Sequence, residues 1–354
     1  MKDRFRLRGH KLLWHLDSLK RWYDGEVISP ISIQLGISRH CNAKCKFCYW
    51  AYSDLKPYNM PYSTMKYLFD DAKEIGVKSI TLMGEGENTL NPHFYDIVDY
   101  SRKIDMDLGL GTNGISLKQN KLLNMLKGLT WIRFSLNASN RELYKEITGV
   151  DKFDQVISNI KECVKIKKKY NLPTTIGIQM VVIRDNLRDV ISFAKLGKEL
   201  GVDYASIKPC SVSKKRQFDV PYDEYNNNLF RNLLKLAEKE TNDEYDVVVK
   251  WEKLSNEGKA SFDVCYGTMF IISISAEGYV TPCPHLMAYD RDGFIIGNIN
   301  DTRLKDLIKS KKYKDIQMKV REVDIRGCET NCLYYHMNEF LWNLKHPPEH
   351  INFV

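Results

Sequence analysis

From residue 31 to residue 208, short runs of apolar and β-branched residues alternate with amphipathic stretches of helical period. This alternation restricts the chain to a parallel α/β sheet. Strands are predicted at 31–37, 79–83, 106–111, 131–136, 175–183 and 204–208, with helices at 63–75, 93–104, 118–127, 153–169 and 187–199 between them. Gly76 and Gly201 end two of these helices, and Pro173 breaks the chain before the fifth strand. Each crossover is short enough for a βαβ unit, so the strands run parallel and wind in one sense. Six units predict an open or partial barrel over 30–210, not a closed one of eight. A site is then expected in the loops at the C-terminal strand ends.

The flanks follow other patterns. Leu12, Leu13, Leu16, Leu19 and Trp22 recur at helical spacing before Gly25, which predicts a helix at 10–24 within an N-terminal segment 1–29. After Pro209 the βα rhythm stops: 211–244 reads as a polar loop and a connecting helix at 223–239. A small second domain is expected over 245–354, built on strands at 270–275 and 279–281 around the turn Ala276-Glu277-Gly278. The tail, with Pro347 and Pro348, reads as an extended cover for one mouth of the barrel.

Composition excludes several classes. No apolar run approaches the ~20 residues of a membrane span, and the charged N-terminus is followed by no signal-type apolar core. Nine cysteines, mostly grouped at ligand-like spacings, suit metal chemistry in a reducing compartment, so the cytoplasm is expected. The net charge of +8 favours an anionic substrate. The basic runs at 165–169 and 309–314 lie on or beside helices, with Tyr313 the one aromatic interleaved, and read as solvated faces. Neither a nucleic acid nor a membrane is expected as partner.

At the end of the first strand stands Cys41-Asn42-Ala43-Lys44-Cys45-Lys46-Phe47-Cys48. Three thiolates so close together can hold three irons of a 4Fe-4S cluster and leave the fourth open to a small molecule. The same spacing suits tetrahedral zinc with partners elsewhere in the chain. The next loops carry Gly84-Glu85-Gly86-Glu87-Asn88, Thr112-Asn113-Gly114, Ser135 and Asn137. Ordinary turn chemistry accounts for each piece alone. Together, at consecutive strand ends, they outline one ligand site, the glycines letting the backbone approach a guest.

The Cys-x3-Cys-x2-Cys loop with Phe47, followed by Gly84-Glu85-Gly86-Glu87 after the second strand, resembles the radical S-adenosylmethionine (radical SAM) superfamily over about residues 30–210. The resemblance implies a (β/α)6 partial TIM-type barrel. It makes Cys41, Cys45 and Cys48 the ligands of a 4Fe-4S cluster whose open iron binds S-adenosylmethionine. It places the methionyl ammonium at Gly84, Glu85, Gly86 and Glu87, the ribose or carboxylate at Ser135 and Asn137, and the adenine near Tyr49 and Gln179, with Asn113 a further polar contact in the same site. The implied chemistry is reductive cleavage to a 5′-deoxyadenosyl radical that abstracts a hydrogen atom, fed by a flavodoxin- or ferredoxin-type electron donor. Asn88 departs from the proline usual there and is expected to alter loop rigidity, not ligand identity.

In the second domain Cys265, Cys283, Cys328 and Cys332 resemble the ligands of a twitch domain, the shortened form of the SPASM extension. The resemblance implies a small α+β unit with an auxiliary 4Fe-4S cluster, fully ligated; structural zinc is the competing reading. Cys163 reads as a core thiol within a helix. Cys210, at the end of the sixth strand, is a candidate hydrogen-atom donor to a substrate radical. The expected function is oxidation or epimerisation of a carbohydrate-like alcohol, with the second cluster accepting an electron. About 30 residues precede the first strand, too few for a leader-peptide-binding domain, so a small molecule is preferred to a peptide. A peptide-modifying maturase and a non-catalytic metal-binding scaffold are the alternatives.

Overall fold

The computed structural model describes residues 9–48, 50, 56–211, 220–255, 260–289, 291–328 and 332–353. The six predicted strands form as β1 (Ser32–Leu35), β2 (Ser79–Leu82), β3 (Asp107–Thr112), β4 (Trp131–Ser135), β5 (Thr175–Val182) and β6 (Tyr204–Pro209). They pair in sequence order and in parallel, with Ile33 opposite Ile80, Ile80 opposite Leu108, Leu110 opposite Ile132 and Ile132 opposite Ile176. These aliphatic residues are buried against the helices of the crossovers. The β5 strand is buried along its whole length, as expected of a strand covered on both faces.

The parallel sheet does not stop at six strands. The β7 strand (Asp246–Val249) pairs in parallel with β6, so the chain just after 245, expected to open the second domain, belongs to the sheet of the barrel. Three successive valines, all buried, suit that covered position. The helix Asn228–Glu238, expected as a connector, packs beside β7 and serves as its crossover. On the opposite edge β8 (Ile271–Ile274) pairs in parallel with β1. Antiparallel β9 (Tyr279–Thr281) and β10 (Gly297–Asn298) complete, among the described residues, a ten-stranded sheet in the order β10-β9-β8-β1-β2-β3-β4-β5-β6-β7. The sheet that holds β1 and feeds the Cys41 loop thereby extends into the hairpin that leads to Cys283.

The N-terminal segment is a 3-10 helix, Gly9–His15, running into the α-helix Leu16–Tyr23. The tighter first half shifts the helical face, so Leu12, Leu19 and Trp22 pack on Met269, Phe270 and Leu341 while Leu13 and Leu16 face solvent. The tail ends exposed at Ile351 and Phe353 and does not provide the expected cover. Cys163 lies in the core. Among the described residues no helix is long and apolar enough to cross a membrane.

Candidate functional site: two cysteine centres and one cavity

The Cys41 loop is anchored on the element that follows β4. Lys44 N and Lys46 N donate to the carbonyls of Thr148 and Ile147 at 2.7 and 2.9 Å, and Cys48 N to that of Cys45 at 3.0 Å. Lys46 Nζ reaches Glu146 at 2.9 Å and Asp185 at 2.8 Å. Gly149, at φ +70°, ends the helix Arg141–Thr148 in the left-handed region, where an added Cβ would stand 3.0 Å from that of Lys44. Asn42 donates to Ser116 Oγ at 2.8 Å, and Asn113 Nδ2 donates to Asn42 Oδ1 at 2.7 Å. Although the residue as a whole is exposed, loss of solvent around its sulfur raises the Cys41 thiol, and burial pushes Cys45 up to about 12, with the neighbouring Cys48 and Cys41 sulfurs adding to the effect on Cys45. Thiols that burden one another electrostatically are relieved by a shared cationic centre.

The glycines of the second loop serve the approach of two chain segments. A Cβ on Gly84 would stand 2.7 Å from Gly36 Cα, and one on Gly86 would stand 2.6 Å from the carbonyl oxygens of both Ser38 and His40. The loop therefore lies directly on the chain leading into Cys41, where Glu87 N donates to His40 O at 2.7 Å. The buried Glu87 carboxylate accepts from Thr89 N, Thr89 Oγ1, Thr112 Oγ1 and Asn113 N at 3.1, 2.7, 2.8 and 2.7 Å. Asn88, in place of proline, accepts from Ile37 N at 2.8 Å and pins the loop to the end of β1. Glu85 points toward the C-terminal hairpin: it faces Arg39 Nε at 3.7 Å and accepts from Ala276 N at 3.3 Å. Arg39 in turn pairs with Glu277 at 2.6 Å.

Cys45, Phe47 and Cys48 line one wall of a cavity of about 280 Å³, whose other walls are Ser135, Asn137, Gln179, Val181, Lys208, Pro209, Cys210 and Ser211. Ser135 and Gln179 are register partners on β4 and β5, and Val181 and Lys208 on β5 and β6. Asn137 reaches the cavity with its amide already committed: in the left-handed region at φ 64°, it accepts from Val181 N at 3.0 Å and donates to Ser135 O at 3.1 Å. Asn113 is not among the lining residues and braces the cysteine loop instead. Cys210 is buried at the rim; its N donates to Tyr225 Oη at 3.0 Å, and that hydroxyl donates to Val182 O at 2.7 Å. Tyr49 lies outside the described residues. Sequence reasoning had not assigned Val181, Lys208 and Ser211 to the site, although their places at the C-terminal ends of β5 and β6 are the signal that finds them.

The second centre is deeper. Cys265 precedes the 3-10 turn Gly267–Met269, Cys283 follows β9, Cys328 follows the turn Ile325–Gly327, and Cys332 precedes the helix Tyr335–Lys345. The sulfurs of Cys265, Cys332 and Cys328 all act on Cys283, so the fold has gathered the four. Burial pushes Cys265 up to about 11 and Cys283 further. N–H donors already face the sulfurs: Leu286 N to Cys283, Tyr334 N to Cys332 and Asn338 Nδ2 to Cys265, each at 3.4 Å. Such donors suit thiolates bound to metal. Among the described residues no three His, Cys, Asp or Glu side chains converge as a single metal ion requires, and no disulfide joins the nine cysteines.

Comparison with known proteins agrees with this arrangement. A probable GTP 3′,8-cyclase of Saccharolobus islandicus is 32% identical over 172 residues, covering 48% of this chain and 54% of that protein. The chain thus spans about half the length of that relative. A tungsten-containing aldehyde ferredoxin oxidoreductase cofactor-modifying protein of Pyrococcus furiosus is 24% identical over 297 residues, covering 79% and 81% of the two chains. Among solved structures, SuiB of Streptococcus suis bound to S-adenosylmethionine shares the fold with a TM-score of 0.67 at 18% identity, covering 87% of this chain and 73% of that one. Residues 35–197 match the Radical SAM superfamily, and residues 265–333 match SPASM, an iron-sulfur cluster-binding domain. Residues 35–197 therefore form a radical SAM domain and residues 265–333 a SPASM domain, and these two domains imply 4Fe-4S clusters and S-adenosylmethionine as cofactors.

Proposed function

We propose that the protein is a radical SAM oxidoreductase or epimerase acting on a carbohydrate-like, anionic alcohol. In this reading Cys41, Cys45 and Cys48 hold the cluster with the open iron, and Cys265, Cys283, Cys328 and Cys332 hold the closed one. When bound, the first cluster and S-adenosylmethionine supply a 5′-deoxyadenosyl radical that removes a hydrogen atom from a C–H bond. The loop 84–87 receives the methionyl end through its backbone, and Ser135 and Gln179 offer hydroxyl and amide groups to the rest of the molecule. Neither side chain has a protein partner among the described residues, and Gln179 is 6% exposed. Lys208, the one cation among the described lining residues, attracts an anionic group of the substrate.

One observation carries the reading: a single cavity joins Cys45 and Cys48 to Cys210. Tyr225 anchors the backbone of Cys210. The Cys210 thiol would give a hydrogen atom to a substrate carbon, leaving a thiyl radical for the flavodoxin- or ferredoxin-type donor to reduce. Passage of the substrate radical's electron to a bound second cluster, with loss of a proton, would instead give the oxidised product. The names of the relatives support a small molecule: one is named for GTP, which is anionic and carries a sugar, and another for modifying a cofactor. The reconstituted protein, incubated anaerobically with a flavodoxin or a strong reductant and deuterium-labelled sugars, should send label into 5′-deoxyadenosine. Label arriving from a peptide and from no sugar overturns the substrate class, and absence of any 5′-deoxyadenosine leaves a metal-binding scaffold. Cys210→Ala should abolish an epimerised product and spare abstraction; an unchanged product removes Cys210 from the mechanism.

A further inference from the structure

We infer that Asn338 sets the reduction potential of the second cluster by donating a hydrogen bond from Nδ2 to Sγ of Cys265. The inference rests on the reading that Cys265 and its three partners hold that cluster. Asn338 lies on the helix Tyr335–Lys345 and is 1% exposed. Its Oδ1 accepts from two backbone amides, Tyr266 N at 2.8 Å and Gly267 N at 2.6 Å. The two ends of an amide differ in chemistry, one accepting and one donating. Two N–H groups aimed at one end allow only the oxygen there, so the nitrogen is fixed on the other side, 3.4 Å from Cys265 Sγ.

The sequence supports this arrangement at Gly267. A Cβ there would stand 2.9 Å from Tyr334 Cβ and Met337 Cε, so glycine lets the turn bearing Cys265 reach the helix bearing Asn338. Leu286 N and Tyr334 N are backbone amides that belong to any side chain, as are the amides of Thr268 and Gly267 that also act on Cys265. Asn338 is a side-chain donor at this centre and therefore open to change by substitution.

The consequence follows from charge. A reduced cluster carries one more negative charge, shared with its sulfurs, than an oxidised one. A fixed N–H dipole aimed at a ligand sulfur stabilises the reduced form more and raises the potential. The centre is thereby biased toward accepting an electron. Asn338 is a positioning and tuning residue; it is placed neither at the cavity nor on the open iron.

The test is a potentiometric titration of the second cluster, followed by electron paramagnetic resonance, with iron content measured in parallel. Asn338→Asp keeps an oxygen for Tyr266 N and Gly267 N but turns an acceptor toward Cys265. Asn338→Leu removes the donor without adding charge. Both variants should bind the iron of the unaltered protein yet lower the potential. At fixed poise the reduced fraction should fall by up to about tenfold, as for one hydrogen bond to a charged group, which is about 59 mV for one electron. Unchanged potentials in clusters of full iron content overturn the inference. Pulsed resonance on the unaltered residue covers variants that fail to assemble. In protein with Cys41, Cys45 and Cys48 replaced by alanine, side-chain 15N-labelled asparagine should couple to the remaining cluster, and absence of coupling overturns the inference as well. If no second cluster assembles even with Asn338 present, the ligand reading fails, which iron content alone reveals.

Discussion

The two cysteine centres differ in what surrounds their sulfurs. At 41–48 three cysteines sit on one loop, Cys41 is exposed, and a cavity opens beside Cys45 and Cys48. At the second centre four cysteines come from four separate places in the chain, Cys283 is buried, and N–H groups stand 3.4 Å from three of the sulfurs. The first centre meets solvent and a largely apolar chamber that carries a few polar side chains. The second is more enclosed, with Cys283 buried and Cys265, Cys328 and Cys332 partly so, and its donors are fixed in advance. An open wall suits a guest that must enter and leave, and a closed, donor-lined shell suits a charge that changes while the atoms stay in place. A buried Arg39, its side chain 4% exposed, joins the two regions through Glu85 on one side and Glu277 on the other.

The most severe test of this contrast removes one sulfur from each centre. Cys45→Ala should abolish all 5′-deoxyadenosine formation and lower bound iron from about eight to about four. Cys283→Ala should lose a similar amount of iron yet retain cleavage of S-adenosylmethionine without substrate turnover. If Cys283→Ala also lost cleavage, the two centres would not be separable as described. Arg39→Met comes next in size. It strands Glu85, whose side chain is 2% exposed, against the hairpin turn, and removing one partner of a buried pair costs about 3 kcal/mol. Thermal unfolding should register that loss. Combination with Glu85→Gln should recover part of it, whereas additive losses would break the proposed link.

The strand rhythm, the position of the cysteine loop and the cavity residues Ser135, Asn137, Gln179 and Cys210 are all legible in the sequence, because each depends on local periodicity and on sitting at a strand end. Other features depend on neighbours distant in the chain. The valines of β7 read as opening the second domain, because they follow a polar loop and helix that mask the crossover to β6. The pairing of β8 with β1 joins residues far apart in sequence, which no local period reveals. Asn137 and Asn113 are polar residues at strand ends, as expected, but their amides hold backbone and loop, a distinction that only packing makes. Asn338 carries no sequence signal, since nothing in Tyr335–Lys345 points to a sulfur 73 residues earlier.

A subtler test acts on the first centre alone. Gly86→Ala places a Cβ 2.6 Å from two carbonyl oxygens of the chain entering Cys41, and backbone of that kind cannot yield cheaply. Overpacking of this sort costs about 2 kcal/mol. A loop displaced from 38–40 should bind S-adenosylmethionine about tenfold more weakly, equivalent to about 1.4 kcal/mol. The potential of the second cluster should not move. Equilibrium binding and the titration described above check the two halves, and a shift at the second cluster would show the two regions more tightly coupled than their surroundings indicate.

The smallest effect concerns Glu85, where the two regions touch. Burial raises its pKa above the ordinary 4.5, with Arg39 acting in the opposite sense. The folded protein then holds this proton more tightly than the unfolded chain does. As pH climbs from 4.5 through the raised value, the unfolded chain releases its proton first, and stability falls across that window. Below 4.5 both states are protonated and the loss is absent. Glu85→Gln keeps an oxygen for Ala276 N but has no proton to lose, so its stability should lack this downward slope. Unfolding temperatures of the two proteins, compared anaerobically from about pH 5 to about pH 8, should diverge in favour of the variant as pH rises. Parallel curves would mean that Arg39 offsets the burial of Glu85 in full, leaving an ordinary ion pair at the junction of the two centres.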